Sequence, residues 1–164
     1  MWVLGLNLGD KMIRVQIVRI CRFFIKILMQ INPSLSVLNA VSPLDGRYAS
    51  RCDSLRPYLS EAGFMAHRVE VEIAWLIGLS DAGLPEFPAF SADSRKILNN
   101  LVINFSEADA EAIKVHERKT NHDVKAIEYF LREKLAAHPD AKATGFIHFA
   151  CTSEDINNTC HALM

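Results

Sequence analysis

The sequence is short of the features that mark the specialised classes of protein. Its 164 residues include four cysteines, Cys21, Cys52, Cys151 and Cys160, and no two of them stand in a C-x-x-C pair. That scatter excludes a zinc ribbon or a thioredoxin-type redox pair, and it does not make the disulfide framework of a small secreted domain. The four are read as reduced thiols in a reducing compartment, serving as small buried hydrophobes. Seven glycines and six prolines are too few for collagen or for a low-complexity chain. No apolar run approaches the roughly 18 residues that a membrane span needs, and no alternating run is long enough for a sheet. Neither sign of charge predominates, because 18 Lys and Arg oppose 19 Asp and Glu. With 50% hydrophobic residues, the chain has the composition of an ordinary globular protein with room for one core.

The near-neutral total hides an uneven distribution. Residues 1–38 hold five bases (Lys11, Arg14, Arg19, Arg22, Lys26) against Asp10, so this stretch is about +4 and the remainder about −5. An acidic body argues against general nucleic-acid binding. At about 100° per residue, Arg14, Gln16, Arg19, Arg22, Lys26 and Gln30 share one side of residues 12–31. Ile13, Ile17, Ile20, Phe24, Ile27, Leu28 and Ile31 share the other, which is a basic amphipathic helix. It reads as an interfacial anchor, as a targeting presequence, or as an extension outside the folded domain. Membrane contact is expected only through these residues. Asn32-Pro33-Ser34-Leu35-Ser36 follows as a linker, so residues 1–37 are set apart from a domain over 38–164.

From about Tyr58 the periodic segments have helical spacing, and the expected fold class is all-α. A first helix over 59–82 places Phe64, Val71, Trp75 and Leu79 on one stripe, pairs Arg68 with Glu72 at i,i+4, and stops at Gly83 and Pro85. A second follows Ser91 and buries Ile97, Leu98, Leu101 and Phe105. Ser106, with Asp109 three residues on, caps a third through His116. Thr120 or Asn121 caps a fourth over 123–137, with Val124, Ile127, Leu131 and Leu135 inward, and Pro139 and Gly145 mark the loop after it. Thr152-Ser153-Glu154-Asp155 opens a fifth, which reaches Met164 without a stop signal. The reading expects a fragment, whose helix faces around Val124, Ile127, Leu131 and Ile156 lack partners.

Three polar clusters carry candidate chemistry. Ser42-Pro43-Leu44-Asp45-Gly46-Arg47-Tyr48 sets a planar guanidinium beside a phenol on an Asp-Gly turn, a clamp for an anion or an ordinary surface turn. Lys119-Thr120-Asn121-His122-Asp123 stands at a helix start, where free N–H groups attract anions and His122 can exchange a proton. Asp123 there also suits the helix dipole without any further role. In the segment from Phe146 to Asn158, Thr152 and Ser153 hold a carboxylate or simply cap the helix. His67, His116, His138 and His161 are too dispersed for a site and are read as structural or surface residues.

Taken together, AVSPLDGRY at 40–48, ERKTNHDVKAIEYFL at 117–131 and FIHFACTSEDINN at 146–158 resemble the amino-terminal part of the fumarase/aspartase superfamily. TNHDVKA resembles its adenylosuccinate-cleaving branch more than the argininosuccinate, aspartate or fumarate branches. The resemblance covers about residues 38–164. It implies a helical lyase fold, cut at the start of its central helices, and a β-elimination of fumarate. Adenylosuccinate would give AMP, and succinyl-aminoimidazole-carboxamide ribotide its carboxamide ribotide, both in purine synthesis. It further implies a cytoplasmic homotetramer, no metal or organic cofactor, and no nucleic-acid partner.

Carried over by position, Arg47 and Tyr48 match a pair that contacts the nucleotide. Asn121, His122 and Asp123 match a substrate-binding stretch in which the His is an auxiliary on the acid side. Thr152 and Ser153 match the hydroxyls that hold the succinyl part. The family's principal general-acid His, in a Thr-His-Gly-Gln type segment, and its general-base Ser, in a Ser-Ser-x-Met-Pro-x-Lys-x-Asn type loop, do not occur in this sequence. The chain by itself is therefore expected to be inactive; the alternative is a non-catalytic module that binds nucleotide or co-assembles with a complete lyase.

Overall fold

The computed structural model describes residues 37–164 apart from Pro88. The amphipathic stretch 12–31 and Cys21 lie outside the described residues. The chain divides into two compact units, Met1–Asp53 and Ser54–Met164.

In the first unit the Asp-Gly turn forms as its sequence dictates. The Ser42 carbonyl accepts from the Asp45 and Gly46 N–H groups at 3.1 and 3.0 Å, and Pro43 O accepts from Tyr48 N at 2.9 Å. Gly46 is buried, and a Cβ there would meet Ala40 Cβ at 3.0 Å and Val37 O at 3.1 Å, so a side chain would have to push its neighbours aside by a few tenths of an ångström. Single 3₁₀ turns at Val37–Asn39 and Ala49–Arg51 flank it.

The second unit is helical throughout, with no strand among the described residues. After a helical turn at Arg56–Leu59 come α1 (Glu61–Asp81), α2 (Ala92–Ile103), α3 (Glu107–Thr120), α4 (Asp123–Lys134), a 3₁₀ segment at Ala141–Phe146, and α5 (Ser153–Leu163). A hydroxyl starts four of these. Ser60, Ser91, Ser106 and Thr152 accept from the N–H of Gly63, Ser94, Asp109 and Asp155, and the last two complete capping boxes. Gly83, at φ 69°, supplies the left-handed residue after α1 that only glycine adopts without strain. No described helix is long and apolar enough to cross a membrane.

Helix α1 is the centre of the unit and packs against each of the other helices. Its core face is Met65, Val69, Ile73, Leu76 and Leu79, against Leu98, Ile113, Ile127, Phe130, Leu131 and Leu135. This corrects the expected stripe in which Phe64, Val71 and Trp75 were the buried face. Phe64 and Val71 instead pack a smaller second cluster of Val124, Ile156 and Cys160, while Trp75 is exposed. A helix covered on two sides has no single apolar stripe to read. Ile97 is also exposed, because α2 buries little beyond Ser94 and Leu98.

Other boundaries shift by a few residues. Helix α3 runs on to Thr120, and α4 stops at Lys134, short of Ala137. Val124, Ile127, Leu131 and Leu135 all face inward as expected. The idea that Val124, Ile127, Leu131 and Ile156 lack partners is overturned: each is at most 1% exposed, because α1 and its neighbours already cover them. Near the end of the core, Ser94 donates to Asp140 at 2.5 Å and Asp140 N–H donates to buried His138 Nδ1 at 3.0 Å. That small polar lock gives His138 the structural role expected of it.

Candidate functional site

The junction of α3 and α4 turns sharply at Asn121, which ends α3 in the left-handed region at φ 51°. The cap of α4 is therefore not Asn121 or Thr120 but His122, whose Nδ1 accepts from Lys125 N–H at 3.1 Å. Asn121 is spent on stopping one helix before the next begins, and it is among the few residues that tolerate the left-handed turn. The cap contact fixes the His122 tautomer, since an accepting Nδ1 leaves the proton on Nε2. Asn121 and His122 are both exposed, with the positive end of α4 beneath them.

Asp123 follows as the first residue of α4, and its carboxylate meets Arg68 of α1 at 2.5 Å. Arg68 Nε also donates to Asn157 Oδ1 of α5 at 3.0 Å, and the guanidinium lies 4.0 Å over the Phe64 ring. One buried arginine thus ties the starts of α4 and α5 to the central helix. Partial burial pushes the Asp123 carboxyl up, but the Val124 N–H and the Arg68 charge outweigh it and hold it below the ordinary carboxylate value.

At the start of α5 the Thr152 hydroxyl donates to Asp155 Oδ2 at 2.8 Å, and the same oxygen accepts from Thr152 N–H at 2.7 Å. Those bonds from Thr152 hold Asp155 below the ordinary value. Thr152 is thereby occupied as a cap, while Ser153, half-buried, stands just inside the helix and outside the box. In the other unit Arg47 and Tyr48 are exposed, with the guanidinium 4.8 Å from the ring centroid.

Four residues of this region escape a reading of spacing alone: Arg68, Glu72, His148 and Asn157. The expected Arg68–Glu72 pair does not hold, because Arg68 turns to Asp123 and Asn157 while Glu72 meets His148 Nδ1 at 2.6 Å. A signal was present in the sequence. Both charges fall inside the stripe of Phe64, Val71, Trp75 and Leu79, where an exposed salt bridge has no place. Burial pushes the Glu72 carboxyl up against the pull of His148. The segment behind them is strained, since His148 and Ala150 lie at φ 64° and 59°, each a conformation that costs on the order of 1 kcal/mol for a residue with a Cβ. Among the described residues no group of three or more His, Cys, Asp or Glu is placed to hold a metal ion.

The arrangement offers what anion recognition needs: two helix N-termini anchored to one central helix, an imidazole carrying its proton on Nε2, and a hydroxyl beside free backbone N–H groups. A family model described as lyase matches residues 46–164. The chain is 58% identical over 132 residues to the adenylosuccinate lyase of Vibrio cholerae (strain O395) and 56% identical over 132 residues to that of Escherichia coli (strain K12). It is 49% identical over 133 residues to the adenylosuccinate lyase of Legionella pneumophila (strain Corby). These alignments cover 79% or 80% of this chain and 29% of each relative, so the chain spans under a third of the length of the curated relatives it matches. A lyase model that matches well over half of the chain, on an all-helical fold, places the protein in the fumarase/aspartase superfamily of lyases, beside the adenylosuccinate lyases.

Proposed function

We propose that this chain supplies substrate-binding groups to an adenylosuccinate lyase. The reaction is the β-elimination of fumarate from adenylosuccinate to leave AMP, and the same cleavage of succinyl-aminoimidazole-carboxamide ribotide. A base takes the proton from the carbon beside a carboxylate, the carbon–nitrogen bond breaks, and the departing nitrogen gains a proton. The observation that carries the reading is the Arg68 tie, which holds Asp123 and Asn157, and with them the starts of α4 and α5, on one helix.

In this reading Asn121 and His122 contact the substrate directly, and His122, with its proton on Nε2, donates on the side of the leaving nitrogen. Asp123 fixes the position of His122 through Arg68. Ser153 and the N–H groups at the start of α5 hold the succinyl carboxylate, with Thr152 shaping that end as its cap. Arg47 and Tyr48 contact the nucleotide. The principal acid and base lie in family segments that this sequence does not contain, and the complete enzyme is a homotetramer acting without metal or organic cofactor in the cytoplasm.

Calorimetric titration of the chain with adenylosuccinate, alongside an assay for released fumarate, tests this. Binding without fumarate release is expected, with affinity lowered about tenfold or more in Ser153→Ala and His122→Ala. Absence of binding overturns the substrate-site reading, and turnover overturns the assignment of acid and base to other segments. Tight binding of AMP together with no response to the succinyl group, and no effect of Ser153→Ala, favours a nucleotide-binding module instead.

A further inference from the structure

Glu72 is the one carboxyl of α1 set fully inside the protein, at 1% exposure. Its Oε1 meets His148 Nδ1 at 2.6 Å, and its Oε2 is buried with no hydrogen-bond partner. Packing does not explain such a group. An apolar side chain of similar size would fill the same space without an orphaned oxygen, so the carboxyl must do something that a leucine cannot. Arg68, one turn before it on α1, is engaged with Asp123 and Asn157 instead.

What the carboxyl touches is the strained segment. His148 and Ala150 both hold left-handed backbones, and Thr152 follows two residues later as the cap of α5. Helix α1 grips this segment twice. Glu72 holds the His148 side chain, and one turn on Trp75 Nε1–H donates to the Phe149 carbonyl at 2.8 Å. Two adjacent residues are thus fixed to one rigid helix, between and beside the positions that would relax first.

We propose that Glu72 is a positioning residue: by holding the His148 imidazole it keeps His148 and Ala150 in their left-handed backbones and so sets where Thr152 and Ser153 present their hydroxyls and N–H groups. One hydrogen-bonded proton lies between Oε1 and Nδ1. The functional part of this inference rests on the proposed role of Thr152 and Ser153 as ligand contacts; the structural part does not.

The experiment uses the whole chain labelled with nitrogen-15. In the parent, the shared proton gives a far-downfield imidazole resonance assigned to His148 by its loss in His148→Ala. Glu72→Gln keeps an acceptor for Nδ1–H, so the resonance persists at a changed position, the Thr152 and Ser153 amide signals stay near their parent positions, and adenylosuccinate affinity changes less than about threefold. Glu72→Leu removes the acceptor: the resonance disappears, the Thr152 and Ser153 amides shift, and affinity falls about tenfold. A folded Glu72→Leu chain with unmoved Thr152 and Ser153 amides overturns the proposal. If Glu72→Leu does not fold, His148→Ala breaks the same bond from the loop side and is judged by the same amides. If the parent fails to bind adenylosuccinate, the substrate-site reading falls while the amide shifts still decide the role of Glu72.

Discussion

Arg68 shows how much one side chain can carry. It is 5% exposed and joins elements 55 and 89 residues away in the sequence. Replacing it with methionine keeps the packing on Phe64 but leaves Asp123 and Asn157 without their partner. Because Asp123 is half open to water, the expected cost is about 2 kcal/mol, below the full penalty of a buried ion pair; urea unfolding measures it, and a loss under about 0.5 kcal/mol means the tie is decorative. The thiols separate by the same physics. Burial pushes Cys160 up to about 11, with only partial opposition from Arg68, so it should resist alkylation near neutral pH while, among the described thiols, half-exposed Cys52 reacts first. Mass mapping of the alkylated sites decides the order.

Acid acts on several residues at once, and the signs differ. Asp109 is raised by burial, but Lys134 and Ser106 outweigh this and leave it low; Asp123 and Asp155 are held low as described. Each releases its proton more readily in the folded chain than in the unfolded one. Their stabilisation is complete above the ordinary carboxylate value of about 4 and is lost as pH falls through their lowered values. Glu72 runs the other way, because its raised value favours the folded chain at low pH and this contribution is lost as pH rises through the folded value. With Asp81 likewise held low by its hydrogen bond from Arg95, four act against one, and the net expectation is a fall in the urea midpoint below about pH 4, shallower in Asp155→Asn. A midpoint that is flat from pH 6 to 3 contradicts it.

At the scale of elements, capping and packing decide more than propensity. Ser106→Ala removes one half of a capping box and should cost about 1 kcal/mol, seen as faster amide exchange in the first turn of α3. Gly63→Ala puts two rules in conflict. Alanine gains up to about 1 kcal/mol of helix propensity over glycine, yet its Cβ would lie 2.5 Å from Pro57 O and 2.9 Å from Tyr58 C. Backbone atoms cannot swing aside as a side chain can, so overpacking wins and the variant is destabilised by about 1–3 kcal/mol; a rise in melting temperature contradicts this. The same contrast explains what could be read beforehand. The caps Ser91, Ser106 and Thr152 and the inward row of α4 are local patterns, and each formed as written. The faces of α1 are set by partners up to 89 residues away, so periodicity named the wrong edge of the helix, and a histidine displaced Asn121 as cap because the turn needed Asn121 for its left-handed backbone.

For the molecule as a whole, the candidate site was legible as three short stretches but not as a geometry. Their residue types pointed to anion binding, whereas Arg68 and Glu72, which anchor the two stretches of the helical unit, stand in sequence inside an apolar stripe with nothing to show which distant residues they meet.

The length of the Arg68 and Glu72 tethers also bears on biosynthesis. Both side chains leave the ribosome well before their farthest partners exist, Glu72 by 76 residues before His148 and Arg68 by 89 before Asn157. At roughly 10 residues per second the delay is on the order of several seconds. During it the α3–α4 hairpin has every local contact it needs, while α1 carries charges that must stay wet. Final burial of these charges therefore waits until α5 has been made, so the starts of α4 and α5 come together only once synthesis has passed Asn157.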